Sequence, residues 1–197
     1  MPLSIYLNTP QGRRKSATLP THFDLNDFRS LIEKKVGNPE HYDYSLGDVI
    51  FRTWNEEVFN RQRSAIHDGI TLIIQYPPVG SESPPWRQAS TGLCLEGICL
   101  NVQCDAFEHK VIMNQSLGKC HAVSNSTITT SKCPLCGTVI TPTTCAFYQC
   151  SWRVTGVKRD ETTTRTIDWQ NSNKDYHRWE ENFASWMELT IETKMNS

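Results

Sequence analysis

All eight cysteines of the chain fall between Cys94 and Cys150, and four of them stand in two close pairs, Cys99-x4-Cys104 and Cys133-x2-Cys136. Two knuckles about thirty residues apart can wrap a tetrahedral Zn²⁺ at about 2.3 Å from each sulfur. That requirement decides much of the fold, because two distant turns must converge on one ion. In the second knuckle Pro134 fixes the approach of the chain and Gly137 permits the tight backbone that aims amide N–H groups at sulfur. Lys110 to Met113 is short and apolar, and Thr138 to Thr141 is β-branched, so each knuckle has strand-forming sequence beside it, as in a zinc ribbon. The expected ligands are Cys99, Cys104, Cys133 and Cys136, with the looser x4 spacing making Cys99 the least constrained.

A disulfide framework is the alternative, since eight is an even number. The opening MPLSIYLNTPQGRRK lacks a hydrophobic core followed by a small-residue cleavage signal, so it does not read as secretory, and a cytoplasmic or nuclear setting with reduced thiols is expected. Two glycosylation sequons, at Asn114 and Asn125, point the other way, but arise readily in a chain rich in Asn, Ser and Thr.

Four cysteines and two histidines remain around the knuckles. Cys120 and His121 are adjacent and, with Cys145 and Cys150, could furnish a second metal site in a cross-braced, RING-like layout, although eleven residues separate His121 from Cys133 where RING fingers space their ligands closely. Cys145 and Cys150 lie five apart in an expected strand, which directs them to opposite faces unless a bulge intervenes. Buried free cysteine is the plainer reading for at least one. Neither Cys120-His121, which lacks an orienting third group, nor Cys133-x2-Cys136, which lacks a strand-then-helix context, supports cysteine catalysis, so no catalytic residue is assigned.

Tyr76 to Trp86, reading YPPVGSESPPW, is rich in proline and poor at forming helix or sheet, and divides the chain into residues 1–77, a linker at 78–90, and a cysteine-rich domain at 91–197. Lys plus Arg against Asp plus Glu number 9 and 10 over residues 1–85, 7 and 3 over 86–159, and 4 and 8 over 160–197. The cysteine-rich part is therefore basic, yet four thiolates around Zn²⁺ would add two negative charges and leave little surplus for phosphates. Nucleic acid is not the expected partner. No apolar run reaches membrane-spanning length, and none implies a membrane.

Before the linker, Ser4 to Asn8 alternates as a strand, Gln11-Gly12 turns, and Arg14 to Leu19 resumes a second strand. Asp24 caps a helix carrying Leu25, Phe28, Leu31, Ile32 and Val36 at helical spacing up to Gly37. A strand is expected over Asp48 to Arg52, then a polar connection, then a strand over Ile70 to Gln75 with Ile70, Leu72 and Ile74 inward. Pro2 to Gln75 resembles a ubiquitin-like domain, most clearly in SIYLNTPQGRRKSATL, LNDFRSLIEKKVG and DGITLIIQY. The chain continues as PPVGSES and lacks the terminal diglycine of a conjugated modifier, so the resemblance implies a docking module. It also implies a partner patch on the outer sheet face, where Ile50 and Ile73 occupy the matching outward positions on adjacent strands. The alternative is that the other domain of the chain covers them.

Beyond Cys150, strands are expected over Ser151 to Gly156, Thr162 to Trp169 and Met187 to Ile191, with a helix over Asp175 to Phe183 carrying Tyr176, Trp179 and Phe183. GLCLEGICLNVQCDAF, CPLC and TCAFYQCSWRVTGVK are similar to cysteine-rich modules of eukaryotic proteins without assigned function, some of them beside ubiquitin-like segments. The expected fold class is α+β, an N-terminal ubiquitin-like β-grasp domain followed by a C-terminal β-rich zinc-binding domain. The expected function is an intracellular protein-binding adaptor with Zn²⁺ as its cofactor and a protein partner, with the ubiquitin pathway among the candidates. A RING-like ubiquitin ligase component and a nucleic-acid-binding zinc ribbon are the alternatives.

Overall fold

The computed structural model describes residues 1–47, 49–51, 53, 55–77, 79–80, 82–173 and 175–196, which gather into two units, Met1–Pro77 and Pro78–Ser197.

In the first unit, strands β1 (Leu3–Asn8) and β2 (Arg14–Leu19) pair antiparallel around a turn at Gly12. Helix α1 (Leu25–Lys35) follows, started by a capping box in which the Asp24 and Asp27 carboxylates accept from each other's backbone N–H, and it buries Phe28 and Ile32. Strands β3 (Asp43–Leu46) and β4 (Val49–Phe51), helix α2 (Glu56–Gln62) and strand β5 (Thr71–Gln75) complete the unit. The ends of the strand expected over Asp48 to Arg52 lie outside the described residues. The five strands form one sheet in the order β2-β1-β5-β3-β4, with β1 and β5 parallel. Ile5, Leu7, Leu72, Ile74, Phe28 and Phe59 are buried in its core.

The second unit is made of strands and short 3₁₀ turns. It runs through β6 (Gly92–Ile98), β7 (Lys110–Asn114), β8 (Gly118–Ser124), β9 (Thr127–Ile128), β10 (Ser131–Lys132), β11 (Val139–Ile140), β12 (Thr144–Tyr148), β13 (Cys150–Lys158), β14 (Arg165–Ser172), β15 (His177–Arg178) and β16 (Trp186–Met195). One sheet is ordered β15-β12-β6-β7 and another β14-β13-β16-β8-β9, while β10 and β11 form a separate hairpin. Leu95, Met113 and Phe147 from the first sheet share one core with Trp152, Val154, Leu189 and Ile191 from the second, so the two sheets pack face to face.

The fold class read from the sequence is corrected by these elements. The chain is 45% strand and 15% helix, with two α-helices among the described residues, so it is β-rich rather than α+β with a β-grasp domain. Part of the difference lies at Asp175 to Phe183, where no helix forms. The Trp179 and Phe183 amides donate instead to the carbonyls of Cys145 and Thr143, at 3.0 and 2.9 Å. Those bonds tie the segment to β12 and leave only the short strand β15 and a 3₁₀ turn at Phe183–Ser185.

The stretch read as a linker also differs from expectation in its later part. Pro78 and Ser81 lie outside the described residues, but Pro85–Arg87 forms a 3₁₀ turn. It delivers Arg87 into a buried ion pair with Glu96, N to O 2.8 Å. The same Glu96 carboxylate accepts from the Tyr176 hydroxyl at 3.0 Å. These contacts make the segment part of the second unit.

Candidate metal centre

Strand β6 ends at Ile98 and the chain turns at once into the first knuckle. Its backbone is closed by the Cys104 amide donating to Asn101 O at 3.0 Å, Phe107 N–H to Cys104 O at 2.8 Å, and Glu108 N–H to Cys99 O at 2.7 Å. The second knuckle is the loop between β10 and β11, closed by Cys133 N–H to Thr138 O at 2.9 Å and Gly137 N–H to Cys133 O at 3.0 Å. Gly137 has φ of +72°, a left-handed conformation that the knuckle turn requires and a side chain would strain.

The two turns bring Cys99, Cys104, Cys133 and Cys136 together, all four sulfurs within 4.8 Å of one another. Cys99 Sγ lies 3.8 Å from Cys136 Sγ, and Cys104 Sγ 3.9 Å from Cys133 Sγ, so each close contact joins one knuckle to the other. A disulfide needs about 2.05 Å between sulfurs. All eight cysteines are free thiols. The cluster could hold a metal ion. Three of its members are buried and Cys136 reaches the surface.

The sulfurs are not electrostatically equivalent. The Thr138 hydroxyl, whose oxygen lies 3.3 Å from Cys136 Sγ, together with the Thr138 backbone and the Asn101 side chain, holds the Cys136 thiol down to about 5. Burial pushes Cys99 up to about 12, against the opposing pull of a backbone bond at Asn101 and with the three neighbouring thiols adding to the rise. At Cys104 the Ala106 amide, 3.4 Å from the sulfur, pulls downward, as does Cys99, but burial and the Cys136 and Cys133 thiols leave it raised. The three thiols around Cys99 hold it back from ionising, and a central cation removes that conflict.

The possible second site does not come together in the structure. Among the described residues one group of metal-ligating side chains assembles, and it excludes Cys120, His121, Cys145 and Cys150. Neighbours on β8 face opposite ways, so Cys120 packs against the core while His121 is exposed and bonded to Thr190 Oγ1 at 3.1 Å. Cys145 and Cys150 both enter the core, because the chain passes from β12 to β13 through Gln149 at φ 50°, which breaks the alternation. Burial raises all three of these thiols, Cys145 furthest, and Cys94 to about 12. They remain protonated core side chains.

Ile50 and Ile73 are both exposed on the sheet of the first unit. They are not on adjacent strands, because β3 lies between β4 and β5, and Ser45 is registered opposite both. Sequence reasoning missed three further contributors. Thr138 and Asn101 act on Cys136, and Gly97 on β6 adjoins the second hairpin, where an added Cβ would meet Ile140 Cγ2 at 2.6 Å. A hydroxyl residue two places after a knuckle cysteine was the available signal for Thr138; nothing local marks Gly97.

The chain matches no family model, no curated protein and no solved structure. No helix among the described residues is long and apolar enough to cross a membrane.

Proposed function

We propose that this chain is an intracellular protein-binding adaptor whose second unit is built on one structural Zn²⁺ held by Cys99, Cys104, Cys133 and Cys136. The observation that carries the reading is the sulfur geometry. Four sulfurs placed tetrahedrally about 2.3 Å from a zinc ion are separated by edges of about 3.8 Å, and the two cross-knuckle contacts are 3.8 and 3.9 Å. Soft thiolates favour zinc over magnesium or calcium, and four protein ligands leave no open position for substrate, which is the pattern of a structural site. Eight unpaired thiols suit a reducing compartment.

Adaptor function draws its support from the exposed Ile50 and Ile73, aligned across the sheet on either side of Ser45. Two exposed isoleucines in one row exceed what a solvated sheet face requires. A single thiol cluster among the described residues favours one ion over the two of a RING-like ligase, and the small basic surplus of residues 86–159, largely offset by a thiolate-bound zinc, disfavours a nucleic-acid ribbon.

The test is reversible zinc removal. Chelation should abolish the near-UV circular dichroism of the buried Trp152, Trp179 and Trp186, and added Zn²⁺ should restore it. A metal-free protein that keeps the full spectrum contradicts the structural role.

A further inference from the structure

Ten large hydrophobic side chains stand exposed among the described residues, and four of them, Leu100, Val102, Leu135 and Val139, sit on the two knuckles at 42% to 75% exposure. Their placement follows the metal centre. Leu100 succeeds Cys99 and Leu135 precedes Cys136, whose sulfurs are 3.8 Å apart, so the two leucines flank one edge of the cluster. Val102 lies in the turn closed by Cys104 N–H to Asn101 O. Val139 opens β11 and points away from the core that its neighbour Ile140 enters. The fold does not use these four side chains for packing, and apolar groups gathered at one end of a domain mark an interaction site.

The charge at this end selects the occupant. The knuckle stretches 99–109 and 131–140 carry Asp105, Glu108 and Lys132, and a zinc ion with four thiolates contributes two further negative charges, partly exposed at Cys136. A second copy would bring the same negative end. Anionic lipid and nucleic acid would bring phosphates. We infer that Leu100, Val102, Leu135 and Val139 form a docking surface for a segment of another protein that carries apolar anchors flanked by lysine or arginine. This deepens the adaptor reading and rests on its zinc centre.

The test selects a displayed library of random linear peptides against the zinc-loaded full chain, in parallel with Leu100→Ser/Leu135→Ser and Ile50→Ala/Ile73→Ala variants. Elemental analysis verifies the zinc content of each variant. Should the leucine variant lose zinc, Val102→Ser/Val139→Ser replaces it. Peptides selected on the natural chain should pair apolar residues with flanking Lys or Arg and weaken with rising salt. They should lose about tenfold or more in affinity on the knuckle variant, as truncated interface anchors do, and bind the Ile50/Ile73 variant undiminished. Peptides without basic enrichment, or with equal affinity for the knuckle variant, overturn the inference. So does retention on phosphatidylserine vesicles, or self-association in sedimentation, that the knuckle substitutions abolish. Binding that depends only on Ile50 and Ile73 overturns this inference and leaves the adaptor reading standing, whereas failure to enrich any peptide overturns both.

Discussion

Gly97 and Ile140 meet where the second knuckle's hairpin closes on β6, and a methyl group added to Gly97 would stand 2.6 Å from Ile140 Cγ2 and 3.3 Å from the Thr141 carbonyl oxygen. Gly97 lies two residues before Cys99, and Ile140 anchors the strand that leaves Cys136 and Thr138. The contact therefore sets the approach of one knuckle to the other. Gly97→Ala should push the hairpin outward, lower stability by about 1–3 kcal/mol and weaken zinc retention against a competing chelator. Unchanged retention would show that the knuckles find each other without this contact.

Loss of a ligand should act on one unit. Cys133→Ser leaves three thiolates around the ion and removes metal-linked folding free energy, so the second unit should unfold while Met1–Pro77, with its separate core, keeps its own transition. Hydrogen exchange followed by mass spectrometry reads the two units separately. Protection lost equally in both would contradict the division.

Acid should release the metal in a way that Thr138 controls. A ligating thiol must give up its proton, and Cys136, held down to about 5, resists reprotonation as pH falls. Its folded value lies below the unfolded thiol's, about 8.5, so the linked stability is full above the unfolded value and is lost as pH falls toward 5. In the metal-free chain Cys99, pushed up to about 12, has the opposite sign: its contribution is full below the unfolded value and fades as pH rises toward 12, and Zn²⁺ must displace that proton to bind. Thr138→Val removes the hydroxyl while keeping the amide, raises the Cys136 value and should shift zinc release to higher pH, as followed with a chromogenic chelator. A release midpoint that stays put or moves lower would count against this account.

Arg87 and Glu96 make a buried pair whose halves depend on each other. Arg87→Ala strands the Glu96 carboxylate in the interior and should cost about 3–5 kcal/mol in urea denaturation. Arg87→Met with Glu96→Gln removes both charges and should cost less than the sum of the single changes. Additive losses would show that the pair is not coupled.

Ile50→Ala with Ile73→Ala should lower stability by less than about 0.5 kcal/mol per site, as exposed substitutions do. A large fall in melting temperature would mean that the two side chains are covered in solution.

What the sequence made legible was what depends on spacing alone. The knuckle cysteines, the alternation of β1, β2, β13 and β16, and the capped helix α1 are all written in short windows. Strand β3 is hard to see because DYSL is brief and places only Tyr44 among the buried residues, and without it the strands of Ile50 and Ile73 look like neighbours. Helix α2 has only Val58 and Phe59 as apolar residues, too few to establish a period. The helix expected at Asp175 to Phe183 had the right period, but its amides find partners on β12, and distant hydrogen bonds outweighed local spacing. Gln149 at positive φ turned Cys150 inward, a backbone event that residue type does not announce.

The central claim is one zinc ion per chain on four thiolates. Native mass spectrometry with elemental analysis, on protein purified without chelator, tests it most directly. The account predicts one zinc per natural chain and none in Cys133→Ser, with Cys120→Ala and Cys145→Ala retaining the full complement. A natural chain with no bound metal, or with two zinc ions of which one is lost on Cys120→Ala, would contradict it.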